Sequence, residues 1–208
     1  MNDEPTVFVV DDDAAVRDSL RWMIESAGLR VETFACAEDF LEAYVPGRPG
    51  CLVLDMRMPG MSGIALQKQL AARGIEIAII FITAHASVPT AVHAMRAGAV
   101  DFITKPFSEE ALLDRITHCI EEARRRHAQN LERASLAARF ATLTPREHEI
   151  LQDVVAGKPN KVIAAERGIS QKTVEAHRAK MMQKLQARSL ADLMRMVLPQ
   201  QTLGKNPD

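Results

Sequence analysis

The sequence predicts two domains in series, an α/β domain on a doubly wound five-stranded parallel sheet followed by an all-α domain of four helices. Three observations carry this. Short β-rich runs alternate with amphipathic segments up to about residue 123, the pattern of repeated βα units. The run IAIIFI (77–82) is apolar throughout, as a central strand covered on both faces must be. From about Thr142 onward the periodicity is helical only, with capping residues at the starts. At 208 residues the chain is long enough for each half to bury its own core.

Each element has a local cause. TVFVV (6–10) reads as the first strand, and Val16, Leu20, Met23, Ile24 and Ala27 give the first helix before Gly28 ends it. RVETF, AEDFLEAY, CLVLD, GIALQKQLAARG, IAIIFIT, PTAVHAMRAG and VDFIT continue the alternation, and a long helix begins near Glu109. No Gly or Pro occurs between Pro106 and Pro145, so that helix is expected to run to about Arg139. Ser108 can cap it, Glu109 and Glu110 suit its dipole, and Glu121/Arg125 and Glu122/Arg126 are favourable four-residue pairs. Its Leu113, Ile116, Ile120, Ala123, His127, Leu131 and Ala134 form a seam at three-four spacing, able in its exposed part to pair with a second copy. Beyond it, Thr144-Pro145-Arg146-Glu147 is a capping box with Pro at the first helical position, and Ser189 with Asp192 approximates another. Gly157, Pro159, Gly168 and Ala187-Arg188 mark the turns, and the tail 203–208 is expected to fray. The domains are therefore 1–123, a helical linker 124–141, and 142–208.

Composition narrows the function classes. No run approaches the roughly 18 apolar residues of a membrane helix, and the acidic N-terminus lacks the pattern of a secretory signal, so a cytoplasmic protein is expected. Cys36, Cys51 and Cys119 are odd in number and widely spaced; they are expected to be small buried hydrophobes, with neither a disulfide framework nor a zinc site. The net charge of −1 hides an asymmetry: residues 1–123 hold 10 Lys/Arg and 19 Asp/Glu, whereas 124–208 hold 16 and 8. A polyanionic partner is favoured for the second half only.

In doubly wound sheets ligands sit beyond the C-terminal strand ends. Those positions hold Asp11, Asp12 and Asp13 after the first strand, Asp55 after the third, Thr83 after the fourth and Lys105 after the fifth. Taken singly, Asp13 reads as a helix cap, Thr83 as a strand-end hydroxyl and Lys105 as a solvated charge. Together they suit phosphoryl transfer assisted by Mg²⁺, a hard cation that prefers oxygen. Asp55 can be the nucleophile, with Asp11 and Asp12 holding the metal directly or through water, and Thr83 and Lys105 contacting the phosphoryl oxygens. His85, His93 and His118 belong to no such constellation and read as surface or packing residues, and the ten methionines read as core filler.

The set VVDDD, LDMRMPGMSG, FITAHA and DFITKPF resembles the receiver domains of bacterial response regulators over about residues 5–123. The resemblance implies that Asp55 is the phosphoacceptor, that Asp11 and Asp12 are acidic metal-site residues, and that Thr83 and Lys105 are the switch hydroxyl and the phosphate-pairing lysine. It further implies that Arg57 offers a backbone carbonyl to the metal, that the rotamer of Phe102 follows Thr83, and that Lys105-Pro106 is a cis peptide. The stretch after Thr83, Ala-His-Ala-Ser, departs from the glycines that such domains often carry there, which bears on the lifetime of the acyl phosphate.

In the second half Asn160 to Ala164 begins a helix, Gly168-Ile169-Ser170 makes a turn, and Gln171 to Leu185 forms the next helix, a helix-turn-helix arrangement. Val174, His177, Met181 and Leu185 face inward by spacing, leaving Lys172, Thr173, Glu175, Ala176, Arg178, Ala179 and Lys180 on or near the surface. The segment from Leu143 to Val197 resembles the four-helix DNA-binding domain of the NarL/FixJ (LuxR-type) regulators, and both halves in this order resemble the FixJ-like subgroup. The resemblance places Glu175, Ala176 and Ala179 at base edges and Lys161, Lys172, Thr173, Arg178 and Lys180 at phosphate or groove wall. The implied function is a two-component transcription regulator, not a metabolic enzyme. Its implied partners are a sensor histidine kinase, double-stranded promoter DNA, RNA polymerase and, after phosphorylation, a second copy of the chain. Two rivals stay open on the residues alone: an aspartate-nucleophile phosphatase with its acyl phosphate on Asp11, and a receiver coupled to an RNA-binding antiterminator.

Overall fold

A computed structural model describes residues 4–84 and 87–203, with side chains described as far as Val197. His85 and the tail 204–208 lie outside the described residues. The chain forms two compact units, Met1–Gln129 and Asn130–Asp208.

In the first unit the strands are β1 (Thr6–Val10), β2 (Arg30–Phe34), β3 (Gly50–Asp55), β4 (Ala78–Thr83) and β5 (Asp101–Thr104). They pair in the order β2-β1-β3-β4-β5, all parallel. The helices between them are α1 (Ala14–Ser26), α2 (Ala37–Ala43), α3 (Gly63–Ala72) and α4 (Val88–Arg96), and α5 (Glu109–Ala141) follows β5. The two-residue period of the pleat divides each central strand between two cores. Phe8, Val10, Leu52, Leu54 and Phe81 meet Phe40 of α2 and Leu66 and Leu70 of α3 on one face. Val7, Val9, Val53, Ile80 and Ile82 meet Leu20, Met23 and Ile24 of α1 and Leu112, Ile116 and Ile120 of α5 on the other. β1 and β3 are buried over their full length, so continuous apolarity there is a consequence of two-sided burial.

The helix starts follow from local side-chain chemistry. Asp13 caps α1 by accepting from the Ala15 N–H at 2.9 Å, and Ser62 caps α3 through Ala65. Cys36 corrects the expectation for the cysteines. It is half-buried and caps α2, its sulfur accepting from the Asp39 N–H at 3.4 Å, whereas Cys51 and Cys119 are buried as expected. The seam of α5 also differs in detail: Leu112, Ile116, Cys119 and Ile120 are buried, while Leu113 is only partly so.

The second unit packs α6 (Pro145–Val155), α7 (Asn160–Arg167), α8 (Gln171–Leu185) and α9 (Leu190–Leu203) around Ile150, Val154, Ile163, Val174, Met181, Leu185 and Leu193, and Phe140 packs against this core. Gly168 ends α7 in the left-handed region at φ 62°, which turns the chain into α8. The capping box of α6 forms in both directions, with Thr144 Oγ accepting from the Glu147 N–H at 3.2 Å and Glu147 accepting from the Thr144 N–H at 2.8 Å.

Glu147 is buried, and its carboxylate also accepts from Lys184 Nζ of α8 at 2.6 Å. The Lys184 hydrogen bond first, then the Thr144 N–H, hold its pKa below the ordinary carboxylate value. A carboxylate with a depressed folded pKa stabilises the fold above its unfolded pKa, and that stability is lost as pH falls through the depressed value. Glu147→Gln should therefore cost about 1–2 kcal/mol at neutral pH. The difference from the parent protein should close in strong acid, as read from hydrogen exchange of α6 and α8 across pH.

Candidate functional site

The sheet order reverses direction at β1, whose neighbours β2 and β3 lead away on opposite sides, so the crevice of a doubly wound sheet opens beyond the ends of β1 and β3. Asp11 directly follows β1 and Asp55 is the last residue of β3. They are 1% and 6% exposed, and two such carboxylates cannot stay ionised side by side without compensation. Lys105, directly after β5, supplies it: Nζ donates to Asp11 Oδ2 at 2.6 Å and to Asp55 Oδ1 at 3.0 Å. The remaining oxygens accept backbone N–H groups, Asp11 Oδ1 from Asp13 at 2.9 Å and Asp55 Oδ2 from Arg57 at 2.7 Å.

The electrostatics follow from this geometry. Burial pushes the Asp11 carboxyl above its ordinary pKa, outweighing the hydrogen bonds from Lys105 and the Asp13 N–H. Burial alone would lower Lys105, but its hydrogen bonds to Asp11 and Asp55 raise it, so the ammonium stays charged. Asp12 is exposed and stands outside this triad. Thr83, last in β4, is buried, and its carbonyl accepts from the Lys105 N–H at 2.7 Å, which fixes the lysine's backbone to the neighbouring strand end. Phe102 lies half-buried opposite Phe81 in the β4/β5 register and packs on the same core face. Arg57 is exposed, and the Lys105-Pro106 peptide is cis.

Two further residues shape the site and were given no role in it from the sequence, although Gly63 closes the run LDMRMPGMSG. Arg17 of α1 donates through Nη1 to the carbonyls of Asp11 at 2.7 Å and Asp12 at 2.9 Å, stapling the acidic loop to the helix it precedes. Gly63 opens α3 so close to the site that a Cβ there would lie 2.3 Å from the Asp55 carbonyl oxygen. Its N–H donates to the Met56 carbonyl at 3.1 Å, so α3 is registered against the end of β3.

In the second unit, Lys172, Glu175, Ala176, Ala179 and Lys180 of α8 are exposed, Thr173 and Arg178 are half-buried, and Lys161 of α7 is exposed. Val174, Met181 and Leu185 turn inward and are buried, with His177 half-buried. Arg178 Nη1 donates to Asn160 Oδ1 at 2.6 Å, which ties α8 to the start of α7, and Gln171 donates to Glu175 at 3.2 Å. Asn160 is the residue that sequence reasoning passed over here. Asp153 at the end of α6 is buried and accepts from Arg167 Nε at 2.9 Å and Lys158 Nζ at 3.0 Å, so the turn between α6 and α7 is held by charge as well as by packing.

A buried carboxylate pair bridged by a lysine in the crevice of a doubly wound sheet, on the same chain as a helix-turn-helix unit, defines a receiver coupled to a DNA reader. Comparison with known proteins agrees for both halves. Residues 7–117 match the response regulator receiver domain, and residues 141–197 match the luxR family of bacterial regulatory proteins. The chain is 45% identical to Nodulation protein W of Bradyrhizobium diazoefficiens over 95% of this chain and 86% of that one. It is 45% identical to Transcriptional regulatory protein FixJ of Azorhizobium caulinodans, covering 92% of this chain and 91% of that one. Among solved structures, the response regulator StyR superposes with a TM-score of 0.90 at 52% identity, covering 94% of this chain and 99% of that one. The chain belongs to the FixJ-type two-component response regulators, in which receiver phosphorylation controls a LuxR-type DNA-binding domain and thereby transcription.

The contact at Gly63 predicts that Gly63→Ala forces the start of α3 away from β3. Overpacking of this kind costs about 1–3 kcal/mol, to be measured as a lowered urea midpoint for unfolding of the receiver with α6–α9 unaffected.

Proposed function

We propose that Asp55 is the phosphoacceptor and that Thr83, Lys105 and Phe102 read its state. The observation that carries the reading is the Lys105 ammonium held between buried Asp11 and Asp55, a cation already placed where a dianionic phosphoryl group would add charge. An Asp55 carboxylate oxygen attacks the phosphorus of a phosphohistidine on a sensor histidine kinase. The P–N bond breaks, and its electron pair returns to the imidazole nitrogen, which takes up a proton. Lys105 then pairs with a phosphoryl oxygen and the Thr83 hydroxyl donates to another.

The donor set fits a hard divalent cation, since the side chains of Asp11, Asp12 and Asp55 and the carbonyl of Arg57 are all oxygen donors. Among the described residues no group of three or more His, Cys, Asp or Glu is close enough to hold a metal as it stands, because Asp12 faces solvent and Lys105 occupies the space between the other two. When bound, Mg²⁺ supplies neutralisation of charge on the phosphoryl oxygens. What this chain contributes is the orientation of Asp55 by the Arg57 N–H and of Asp11 by the Asp13 N–H.

The rest of the reading follows from the family. Residues 1–123 form the receiver, 124–141 a helical linker, and 142–208 the DNA-binding domain. The phosphorylated chain dimerises and places two α8 helices on a two-fold site in promoter DNA. Glu175, Ala176 and Ala179 face base edges, Lys161, Lys172, Thr173, Arg178 and Lys180 face phosphate or groove wall, and RNA polymerase is the further partner. No helix among the described residues is long and apolar enough to cross a membrane, which accords with a cytoplasmic location.

A small phosphodonor with Mg²⁺ should label Asp55, located by hydride trapping. Asp55→Asn should abolish labelling without loss of fold, because Asn keeps the shape and removes the nucleophilic oxyanion. Persistent labelling of that variant, or trapping on Asp11, would overturn the assignment.

Binding to duplex DNA should weaken steeply with salt. Arg178→Ala should weaken binding to all sequences alike and reduce the salt slope by about one. Glu175→Gln should instead alter preference at particular base pairs, by about 1–3 kcal/mol. Exchanged effects of the two variants would show that α8 lies in the groove with another face.

A further inference from the structure

α4 is the least anchored helix of the receiver. Ala94 is its only buried residue, while Val88 is 78% exposed and Val92 and Met95 are each 43% exposed. A side chain from the preceding helix reaches in to hold it. Gln67 of α3, 3% exposed, donates through Nε2 to the Ala94 carbonyl at 3.1 Å. The same carbonyl accepts the Ala99 N–H at 3.1 Å, so Gln67 grips α4 at the turn where the helix ends. The other half of the amide, Oε1, is buried with no hydrogen-bond partner among the described residues.

Gln67 lies one helical turn beyond Gly63, on the helix whose start rests against the Asp55 carbonyl. Gln67 is thus four residues on from that contact within one ten-residue helix, the kind of rigid element that can carry a displacement. A displacement of the loop after Asp55 therefore reaches Ala94 through one short helix and one amide. The unpaired Oε1 bears on how firmly the amide holds. A buried amide oxygen without a donor is unfavourable, and an apolar side chain of the same length would fill the space without it. The amide thus holds α4 through one bond while its own satisfaction is incomplete, and any shift that brings a donor to Oε1 competes with the arrangement seen here.

We infer that Gln67 is a positioning residue, a latch that sets the resting position of α4 and couples it through α3 to the state of Asp55. The coupling to phosphorylation rests on the role proposed above for Asp55, whereas the latch itself does not.

The test uses the full-length chain, with Gln67→Met, which keeps length and volume while removing both polar atoms, and Gln67→Asn, which keeps the amide but stops short of α4. Gln69→Met is the control: Gln69 is also on α3, and its buried Oε1 is unpaired, but its amide holds nothing in α4 among the described residues. In unphosphorylated protein, amide exchange across Val88–Arg96 should be about tenfold faster or more in both Gln67 variants and unchanged in the control. With acetyl phosphate and Mg²⁺, labelling of Asp55 should match the parent protein, but the gain in DNA affinity on phosphorylation should shrink about threefold or more, through tighter binding before phosphorylation. Unchanged α4 exchange in the Gln67 variants, or equal acceleration by Gln69→Met, would overturn the latch. Faster exchange with an undiminished gain would overturn the coupling. If the parent protein fails to label at Asp55, the proposed phosphorylation reading falls, and the exchange comparison still decides the latch.

Discussion

Two carboxylates with almost no access to water face each other at the ends of β1 and β3, and the Lys105 ammonium between them makes that burial tolerable. Much of the receiver can be understood as what is needed to keep this lysine in place. It stands immediately after β5, an edge strand of only four residues, and such a strand would fray if nothing fixed its end. The Lys105 N–H bond to the Thr83 carbonyl closes that end onto β4, and the Arg115–Asp101 ion pair at 3.0 Å holds the start of the same strand to α5. On the other side, Arg17 satisfies the two carbonyls of the acidic loop so that Asp11 can aim its carboxylate inward. The site is thus an electrostatic balance imposed on strand ends whose own stability comes from the two apolar cores beneath them.

The second unit solves a smaller version of the same problem. Glu147 and Asp153 are buried at opposite ends of α6, and each is matched by cations from other helices: Lys184 of α8 for the first, Arg167 of α7 and the α6–α7 turn residue Lys158 for the second. The Lys184 bond ties α8 to α6 and the Arg167 bond ties α7 to α6, which fixes angles that a core of about a dozen apolar side chains leaves less determined. They also consume cations that a sequence count would assign to a nucleic-acid surface. Of the basic residues in this unit, Lys158, Arg167 and Lys184 are committed to carboxylates, whereas Lys161, Lys172 and Lys180 are exposed. The 16 Lys/Arg of residues 124–208, counted alone, therefore overstate the cations available to DNA.

The fold was legible because its causes are local or periodic. Apolar runs bounded by turn residues place all five strands, and caps such as Thr144 and Ser108 place helix starts to within a residue or two. The residues at strand ends were legible for a topological reason, since a doubly wound sheet brings those positions to one crevice whatever lies between them. What could not be read depends on partners chosen across the fold. Arg17 looks like any solvated arginine on a helix until its carbonyl partners are known, Gly63 looks like a turn residue until the Asp55 carbonyl is seen beneath it, and Gln67 looks like a surface glutamine. Cys36 was misread for the opposite reason: free cysteine is usually buried, but this one precedes a helix and serves as its cap.

The arrangement also constrains how a signal can leave the site. In the proposed reaction Asp55 exchanges a monoanionic carboxylate for a phosphoryl group of about two negative charges, and Lys105 can no longer serve Asp11 and Asp55 as it does in the resting geometry. Lys105 is bonded by its backbone to Thr83, and Thr83 pairs in register with Thr104, two positions along from the Phe81–Phe102 pair. A change in the direction of the Lys105 side chain therefore acts on the β4 and β5 ends together. α3 offers a second route, because its first residue touches Asp55 through backbone alone and cannot respond by rotating a side chain. Both routes flank α4, which exposes Val88, Val92 and Met95 beside His93 and Arg96 and contributes one buried residue, Ala94. A helix held so lightly between two elements that must both respond to one charge is where a change of about one unit at Asp55 can produce a movement large enough for another surface to recognise.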